Sequence, residues 1–420
     1  MKKVIKNIKQ IVGTSTKSED QIKKGESMSK ISVINNGWLT IENDTIIDFG
    51  NMDEWRGIED WNNIEIIDAN NGILMPTFCD SHTHIVYAGN RVTEFIDRIN
   101  GLSYEEIAQN GGGILNSAKL LSETDENSLF NQSARRLEKL IKLGTGAIEI
   151  KSGYGLNTKD EIKILRVIQQ LKEKYPITIK STFLGAHAVP NNMSQEKYTK
   201  LIINEMIPEV SRQNLAEYID VFCDKGFFTE KETEQILLAG IKHGLKPKIH
   251  ANELAYSGGI QVGVRNNAVS VDHLQFTSNK EIKLLKKSNT MPTLLPGTAY
   301  FLGLKYPPAR MMIDAGLPIA LASDYNPGSC PTGNMSTIIS LACTQMHINP
   351  NEAINAATIN GAYAMEVNDN LGSIQKNKKA NLVITNNIPS LGYIPYSIGE
   401  NFINKVIING KIYYDSETNS

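Results

Sequence analysis

The sequence of 420 residues has only four cysteines, seven histidines and three tryptophans. The cysteines are widely spaced and form no C-x-x-C pair, which argues against a disulfide framework or zinc ribbon and favours reduced thiols in the cytoplasm. No apolar run approaches the roughly 18 residues that a membrane helix needs, and the basic N-terminus lacks the apolar core of a signal peptide. Because 43 Lys and Arg nearly balance 45 Asp and Glu, we expect neither nucleic acid nor a membrane surface as a partner.

Both ends of the chain are rich in short strands separated by Asn-Gly turn signals, and 41% of all residues are hydrophobic, enough for a sizeable core. We therefore predict a small composite β-sandwich domain built from residues 1–72 and 366–420. Residues 73–365 differ from both ends and are predicted to form a separate α/β domain. The polar stretch 13–30 is predicted to be a mobile loop.

The middle segment alternates short apolar runs with longer stretches of helical period, which is typical of a parallel sheet. Eight units of this kind fit a TIM (β/α)8 barrel. A doubly wound open sheet is the alternative, but no G-x-G-x-x-G follows an early strand. The eight predicted strands are 73–84, 146–152, 177–187, 218–224, 246–251, 268–274, 290–296 and 317–324.

His82 and His84 form an H-x-H pair at the end of the first predicted barrel strand. Residues i and i+2 of a strand point to the same face, so both imidazoles can aim at one ion. His250 and Asp324 end two other strands, and a TIM barrel places its chemistry at these ends. Three imidazoles and a carboxylate suit Zn²⁺ or Fe. The alternative for the pair alone is two partly exposed histidines with no ligand.

His187 and His273 also end predicted strands, and Glu253 follows His250 by three residues. His273 could hold a metal, the attacking water or substrate, whereas the structural alternative is a buried imidazole bonded to a carbonyl. Glu253 could shuttle a proton between nucleophile and leaving nitrogen, or could simply be a surface loop residue.

Arg91 follows the H-x-H strand closely and could hold a carboxylate with two parallel hydrogen bonds, although most single arginines are solvated. Glycines on both sides of Tyr154 permit dihedrals that turn its ring into the barrel mouth. Residues 326–329, Asn-Pro-Gly-Ser, offer backbone N–H groups and a hydroxyl for anion recognition. Cys79 and Cys330 lie near these loops and are predicted to be packing residues rather than nucleophiles.

Several longer motifs occur in order between residues 73 and 402. They are PTFCDSHTH, DSHTHIVYAGNR, GGGI, IEIKSGYGL, TFLGAHAVP, IHANELAYSGG, VDHL, LLPGTAYFLG, YPPAR, ALASDYNPGSCPT and IPYSIGENF. With them the chain resembles the amidohydrolase superfamily, and more narrowly the imidazolonepropionase family of histidine degradation. KSGYGL, GAHAVP and DYNPGS are more specific to that family than the H-x-H pair.

The resemblance implies hydrolysis of the cyclic amide of 4-imidazolone-5-propanoate to N-formimidoyl-L-glutamate by a cytoplasmic homodimer. It implies one Zn²⁺ or Fe ion per subunit, held by His82, His84, His250 and Asp324. The residues implied around substrate or product are Arg91, Tyr154, His187, Glu253, Asn326, Gly328 and Ser329. In the expected mechanism Asp324 and His273 take or orient the proton of the attacking water, His187 stabilises the oxyanion and Glu253 protonates the leaving nitrogen.

Two other interpretations stay open at this point. A related binuclear deaminase or dihydroorotase-like enzyme would use a carbamylated lysine, for which Lys225 is the nearest candidate. A scaffold protein that kept the barrel and lost the chemistry would show broken ligands, whereas all four are present. The chain also has Tyr256 after HANELA, where the family pattern has an acidic residue.

Overall fold

The structure is a computed structural model that describes residues 2–15, 21–58, 61–102, 106 and 112–418. It contains an eight-stranded parallel barrel and a separate mixed sheet. The predicted fold class, a TIM-like barrel with a small β-domain from both termini, is confirmed. Within the described part of the chain, no helix has the length and apolarity needed to cross a membrane.

Strands β1 to β16 follow one another through the described residues. Their bounds are β1 Lys2–Val12, β2 Val33–Glu42, β3 Thr45–Asn51, β4 Ile64–Asp68, β5 Ile73–Pro76, β6 Phe78–Thr83, β7 Thr145–Lys151, β8 Thr178–Ala186, β9 Tyr218–Cys223, β10 Lys246–Ala251, β11 Ser270–His273, β12 Met291–Leu294, β13 Ala320–Leu321, β14 Leu382–Thr385, β15 Ile403–Ile408 and β16 Lys411–Asp415.

Helices α1 to α15 lie mostly between these strands. Their bounds are α1 Val92–Ile99, α2 Ile114–Glu123, α3 Glu126–Lys142, α4 Thr158–Lys174, α5 Gln195–Leu201, α6 Ile207–Arg212, α7 Glu230–Lys242, α8 Gly259–Arg265, α9 Asn279–Leu285, α10 Pro296–Leu302, α11 Ala309–Asp314, α12 Met335–Met346, α13 Pro350–Ala357, α14 Ile359–Ala364 and α15 Tyr393–Tyr396. A π-helical turn, Ile202–Met206, joins α5 to α6, and short 3-10 helices span Gly25–Ser29 and Met52–Glu54.

The mixed sheet joins the two ends of the chain. Its order is β16-β15-β14-β5-β1-β2-β3, and β4 also pairs with β1. The antiparallel pairing of β14 with β5 connects the C-terminal strands to the N-terminal ones. Isoleucine and leucine side chains such as Ile5, Leu39 and Ile384 form a core of their own beneath this sheet. Strand-forming aliphatic residues at alternate positions explain why both ends fold as strands.

The barrel strands run in sequence order from β6 to β13, and each neighbouring pair is parallel. The seam between first and last strand closes through two backbone hydrogen bonds. The Asp324 N–H donates to the His82 carbonyl at 2.9 Å, and the His84 N–H donates to the Tyr325 carbonyl at 2.9 Å. Barrel closure therefore brings the H-x-H pair and Asp324 side by side.

Helix starts in the barrel follow local capping rules. Asn157 caps α4 by accepting from the Asp160 N–H, and Thr229 and Glu232 form a capping box at α7. A side-chain oxygen at this position satisfies backbone donors that would otherwise lack a partner. These caps fix where each helix begins behind its strand, and with it the length of the loop at the barrel mouth.

Two details differ from the sequence expectations. The predicted first barrel strand divides at Thr77, because Ile73–Pro76 pairs in the mixed sheet and Phe78–Thr83 pairs in the barrel. The exact domain division at residues 72/73 and 365/366 stays a prediction. Part of the predicted mobile loop is packed, since Met28 in the helix Gly25–Ser29 is fully buried and its carbonyl accepts from Asn355. Residues 16–20 of that loop lie outside the described residues.

Candidate active site

The predicted polar residues meet at the carboxyl ends of the barrel strands. His82 lies on β6 with His84 just beyond it, His250 lies on β10, His273 ends β11, and Asp324 follows β13. They surround a cavity of about 480 Å³. All predicted site residues line this cavity except His82, which is fully buried beside the others. The GGGI motif begins outside the described residues, and its last two residues line the same cavity.

The H-x-H pair presents two bare ring nitrogens to one point. His82 Nδ1 lies 2.6 Å from Asp272 Oδ2, and His84 Nδ1 lies 3.4 Å from the Ser152 carbonyl oxygen. Both partners only accept, so each Nδ1 carries the hydrogen and each Nε2 is left unprotonated. These two Nε2 atoms are 3.3 Å apart. Two lone pairs this close repel each other, and a shared cation removes that repulsion.

His250 completes the group of imidazoles. Its ligand nitrogen lies within 4.8 Å of those of the H-x-H pair. Its Nδ1 is 3.0 Å from Asp220 Oδ2, but the alignment is poor, and neither ring nitrogen has a hydrogen-bond partner among the described residues. Buried polar atoms without partners are costly and rare. The three histidines therefore fit a bound metal ion.

Asp324 faces the same point with one carboxylate oxygen. Its Oδ1 lies 3.5 Å from His82 Nε2 and 3.6 Å from His84 Nε2. Its Oδ2 accepts from the Thr298 hydroxyl at 2.5 Å. Burial raises the pKa of Asp324 to about 6, against the opposing effect of the Thr298 hydrogen bond. A carboxyl group with such a pKa can both give up and take a proton near neutral pH.

A network of fully buried charges, none of them among the site residues predicted from the sequence, lies beneath the histidines. Lys151 Nζ is 2.6 Å from Glu149 Oε1, 2.8 Å from Asp220 Oδ2 and 3.7 Å from Asp272 Oδ2, and Lys248 also pairs with Glu149. Burial alone would lower the pKa of Lys151, but the surrounding carboxylates raise it above its usual value. Lys151 thus links the two carboxylates that contact His82 and His250.

Glu253 and His273 form a second titratable pair at the cavity wall. Glu253 Oε2 lies 3.6 Å from His273 Nδ1. Burial raises the pKa of Glu253 well above its usual value, and the nearby Asp324 and Asp224 carboxylates raise it further. Burial lowers the pKa of His273. The raised pKa of Glu253 and the neutral imidazole of His273 suit an acid beside a hydrogen-bonding imidazole.

His187 lies next to His84 with its ring stacked at 5.3 Å between centroids. Its Nδ1 is 3.0 Å from the Gly153 carbonyl oxygen, which can only accept. Burial lowers the pKa of His187 to about 3, so the neutral ring carries its single hydrogen on Nδ1. Its Nε2 is then an acceptor. This tautomer does not suit the expected oxyanion-stabilising role, which needs a donor.

Arg91 lines the cavity and is the N-cap residue of α1. Its Nε donates to the Ser117 hydroxyl at 2.8 Å, and its guanidinium carbon lies 5.7 Å from the centre of the Tyr154 ring. Its buried Nη2 has no hydrogen-bond partner within the described ranges. A guanidinium with an unused buried donor is suited to an anionic ligand.

The loop 326–329 is organised by its own asparagine. Asn326 Oδ1 accepts from the Gly328 and Ser329 N–H groups at 2.8 Å each, and Asn326 Nδ2 donates to the Asp324 carbonyl at 2.7 Å. These N–H groups already have a partner, so the expected anion recognition by the loop backbone is not what this geometry provides. A Cβ at Gly328 would lie 2.1 Å from Arg91 Nη1, so glycine permits the guanidinium to reach the loop.

An apolar wall was also missed in the sequence. It consists of Phe222, Phe227, Leu302 and Leu304, with the two phenylalanine rings 4.0 Å apart. The signal in the sequence is the alternation of residues along a buried strand. Phe222 lies two residues after Asp220 on β9, and His250 lies two residues after Lys248 on β10. Charged residues at alternate positions of a buried strand were a usable signal for the network under the site.

The remaining candidates lie outside the site. Lys225 is exposed and does not line the cavity, so it gives no support for a carbamylated lysine there. Tyr256 is 60% exposed and contacts Phe276 edge-on at 5.7 Å. Burial raises the pKa of the Cys79 thiol to about 12 and that of Cys330 still further, so neither is a ready nucleophile.

The barrel and its histidine cluster define a class of protein, the metal-dependent hydrolases built on a (β/α)8 barrel. The family model described as "Amidohydrolase family" matches residues 73–413. The matched segment contains the whole barrel and every residue placed at the cavity. The class is thus supported independently by the sequence match and by the structure.

Curated relatives indicate the branch of the family to which the chain belongs. The imidazolonepropionases of Christiangramia forsetii and Flavobacterium johnsoniae are each 53% identical over 411 residues, covering 97% of this chain and 99% of theirs. The imidazolonepropionase of Geobacillus kaustophilus is 43% identical over 412 residues, covering 97% of both chains. The chain therefore belongs to the imidazolonepropionase branch of the amidohydrolase family.

Solved structures at low identity support the fold. A guanine deaminase from C. acetobutylicum with bound guanine has a TM-score of 0.71 at 17% identity, covering 99% of this chain and 100% of its own. A triazine hydrolase variant has a TM-score of 0.74 at 12% identity, covering 99% and 95%. At this identity the likeness concerns the arrangement of barrel and mixed sheet.

Proposed function

We propose that this protein is an imidazolonepropionase. It hydrolyses the cyclic amide of 4-imidazolone-5-propanoate to N-formimidoyl-L-glutamate, a step of histidine degradation. The full-length relatives at up to 53% identity support this reaction. The observation that carries it is the placing of a metal-binding histidine cluster and of Arg91, whose buried Nη2 has no hydrogen-bond partner among the described residues, in one cavity. The reaction needs both, because its substrate carries an amide to be activated and a carboxylate to be held.

We infer that His82, His84, His250 and Asp324 hold one ion per subunit. Three neutral imidazoles and one carboxylate suit Zn²⁺ or Fe equally well. An ion held by these four side chains would supply Lewis-acid activation of the attacking water. Metal analysis of the purified protein tests this assignment. About one equivalent supports it, and two equivalents would favour a binuclear site instead.

The proton of the attacking water passes to Asp324. Its Oδ1 faces the histidines while its Oδ2 stays bonded to Thr298. The water oxygen forms a bond to the ring carbonyl carbon, and the bond from that carbon to the ring nitrogen breaks. The departing nitrogen receives a proton from Glu253, whose pKa is raised above its usual value by burial. The hydrolysed carbonyl becomes a carboxylate of the product and releases its remaining proton to solvent, while the proton held by Asp324 restores Glu253 for the next cycle.

The substrate is oriented by groups on both sides of the cavity. Arg91 binds the propanoate carboxylate with its Nη2, which has no partner in the described part of the chain, next to Tyr154. His187 accepts a hydrogen bond from a ring N–H at its Nε2, in place of the oxyanion role expected from the sequence. His273 hydrogen-bonds the water or the ring oxygen. Asn326, Gly328 and Ser329 shape the loop that contacts the guanidinium.

A single incubation tests the proposal. Purified protein is mixed with freshly prepared 4-imidazolone-5-propanoate, and product is followed by mass spectrometry beside a chelator-treated sample and a sample reloaded with Zn²⁺ or Fe²⁺. We expect N-formimidoyl-L-glutamate from the untreated and reloaded samples only. No product from protein shown to contain metal would overturn the proposal.

We further infer a homodimer in the cytoplasm, as the family resemblance implies. The four cysteines are free thiols, which is compatible with a reducing compartment. Light scattering coupled to size-exclusion chromatography tests the assembly, and a mass near 46.5 kDa, that of one chain, would overturn the dimer.

A further inference from the structure

We propose that Glu161, a residue outside the cavity, is a positioning residue that holds the loop 152–156 and through it Tyr154 and His187. Glu161 is not among the residues predicted from the sequence to form the site, and it does not line the cavity. This inference deepens the proposed function and rests on it for its kinetic test, because Tyr154 and His187 are assigned there to the substrate. Its structural test is independent of the reaction.

Glu161 binds three successive parts of the loop backbone. Its Oε1 accepts from the Gly155 N–H at 2.7 Å and from the Leu156 N–H at 3.0 Å, and its Oε2 accepts from the Gly153 N–H at 3.1 Å. The carboxylate is completely buried. A buried carboxylate is costly unless several donors compensate it. Three backbone donors meet that need, and they define the path of the loop.

The backbone that Glu161 binds also carries the contacts of the cavity. The Gly153 carbonyl accepts from His187 Nδ1 at 3.0 Å, while the N–H of the same residue donates to Glu161. The neighbouring Ser152 carbonyl is the partner of His84 Nδ1 at 3.4 Å. Tyr154 lies between the two bound glycines. A shift of this loop would therefore move the Tyr154 ring. It would also remove the hydrogen bond that keeps the proton of His187 on Nδ1.

Close packing restricts the position of the loop 152–156 once Glu161 is in place. A Cβ at Gly155 would lie 2.3 Å from the Glu161 backbone nitrogen. Gly153 has a φ of +114°, and a Cβ there would lie 2.7 Å from His187 Nδ1. The first turn of α4 is anchored in turn by its Asn157 cap. Helix α4, the Glu161 carboxylate and the loop 152–156 therefore form one unit that orients Tyr154 and His187.

The experiment compares Glu161→Gln with Glu161→Ala and with a matched control, Glu281→Gln. Glu281 is also a buried glutamate at a helix start that accepts a backbone N–H, from Ser278, but it does not line the cavity. Glutamine keeps the size of the side chain and replaces one acceptor oxygen with a donor. At least one loop N–H then loses its partner.

Hydrogen exchange followed by mass spectrometry gives the readout that does not depend on activity. We expect faster exchange in the peptide that contains residues 152–157 for Glu161→Gln, and no such change for Glu281→Gln. Unchanged exchange in this peptide would overturn the proposal. If Glu161→Ala does not fold, Glu161→Gln alone decides.

Kinetics give the second readout. For Glu161→Gln we expect kcat/KM to fall about tenfold, mainly through KM, with unchanged metal content. The loss should be smaller for an imidazolone that lacks the side-chain carboxylate. When Tyr154→Phe is combined with Glu161→Gln, the loss of kcat/KM should be smaller than the product of the two single losses, because both substitutions affect the same contact. Kinetic constants within twofold of the unmodified enzyme, or fully multiplicative losses, would overturn the inference. An unmodified enzyme without activity would instead overturn the proposed function.

Discussion

Arg91 combines a buried guanidinium with a nitrogen that has no partner among the described residues. We predict that Arg91→Ala raises KM for the propanoate substrate about 10- to 100-fold and changes kcat less, because a charged hydrogen bond to the substrate is lost in ground and transition states alike. Steady-state kinetics measure this split. The control is Arg265→Ala, which removes a half-exposed guanidinium on α8. An unchanged KM in the Arg91 variant contradicts the assignment.

His82 is the most enclosed of the proposed ligands. We predict that His82→Ala retains roughly a tenth or less of the normal metal content, because a three-imidazole site loses one of the two nitrogens that lie 3.3 Å apart. Metal analysis after gel filtration measures the loss. His243→Ala is the control, since that histidine lies at the end of α7, away from the cavity. Full occupancy in the His82 variant would disprove its role as a ligand.

At the level of secondary-structure elements, the buried ammonium group of Lys151 pairs with carboxylates on strands β7, β9 and β11. We predict that Lys151→Met lowers the free energy of unfolding by about 3–5 kcal/mol, because it leaves the carboxylates of Glu149, Asp220 and Asp272 with fewer positive partners. Denaturant titration of the metal-free proteins measures this difference.

The matched control for that prediction is Lys200→Met on α5. Lys200 pairs with Glu196 at 2.6 Å, but the side chains are 66% and 78% exposed. Exposed ion pairs contribute little, so we expect almost no change in stability. Equal losses of unfolding free energy in both variants would show that the buried network contributes no more to stability than an exposed ion pair.

For the whole molecule, metal binding is predicted to depend on pH through one proton. Burial raises the pKa of Asp324 to about 6, whereas burial lowers the pKa values of His82 and His84 so that their rings are already neutral there. A proton on Asp324 competes with the ion, so affinity rises with pH up to about 6 and then levels off. Below that point it should fall about tenfold per pH unit.

Competition with a chelator at a series of pH values measures this dependence. A fall of about a hundredfold or more per unit would mean that at least one of the histidines also takes up a proton in this range. No dependence between pH 5 and 7 would mean that the carboxylate of Asp324 does not ionise with metal binding.

The sequence by itself determined the fold and the histidines and aspartate that meet at the barrel mouth. Strand alternation, helical period and turn residues are local properties, and parallel strands bring their carboxyl ends to one edge. His82, His84, His250 and Asp324 could therefore be predicted to meet, although they lie up to 242 residues apart in the numbering of the chain.

Only the tertiary structure decided how these residues are held. The His187 tautomer depends on the Gly153 carbonyl, and the loop N–H groups at 328 and 329 are already used by Asn326. The support of Tyr154 depends on Glu161, and that of His82 and His250 on carboxylates linked by Lys151. Such roles follow from which partner each buried polar atom finds in space, and residue order does not specify that partner.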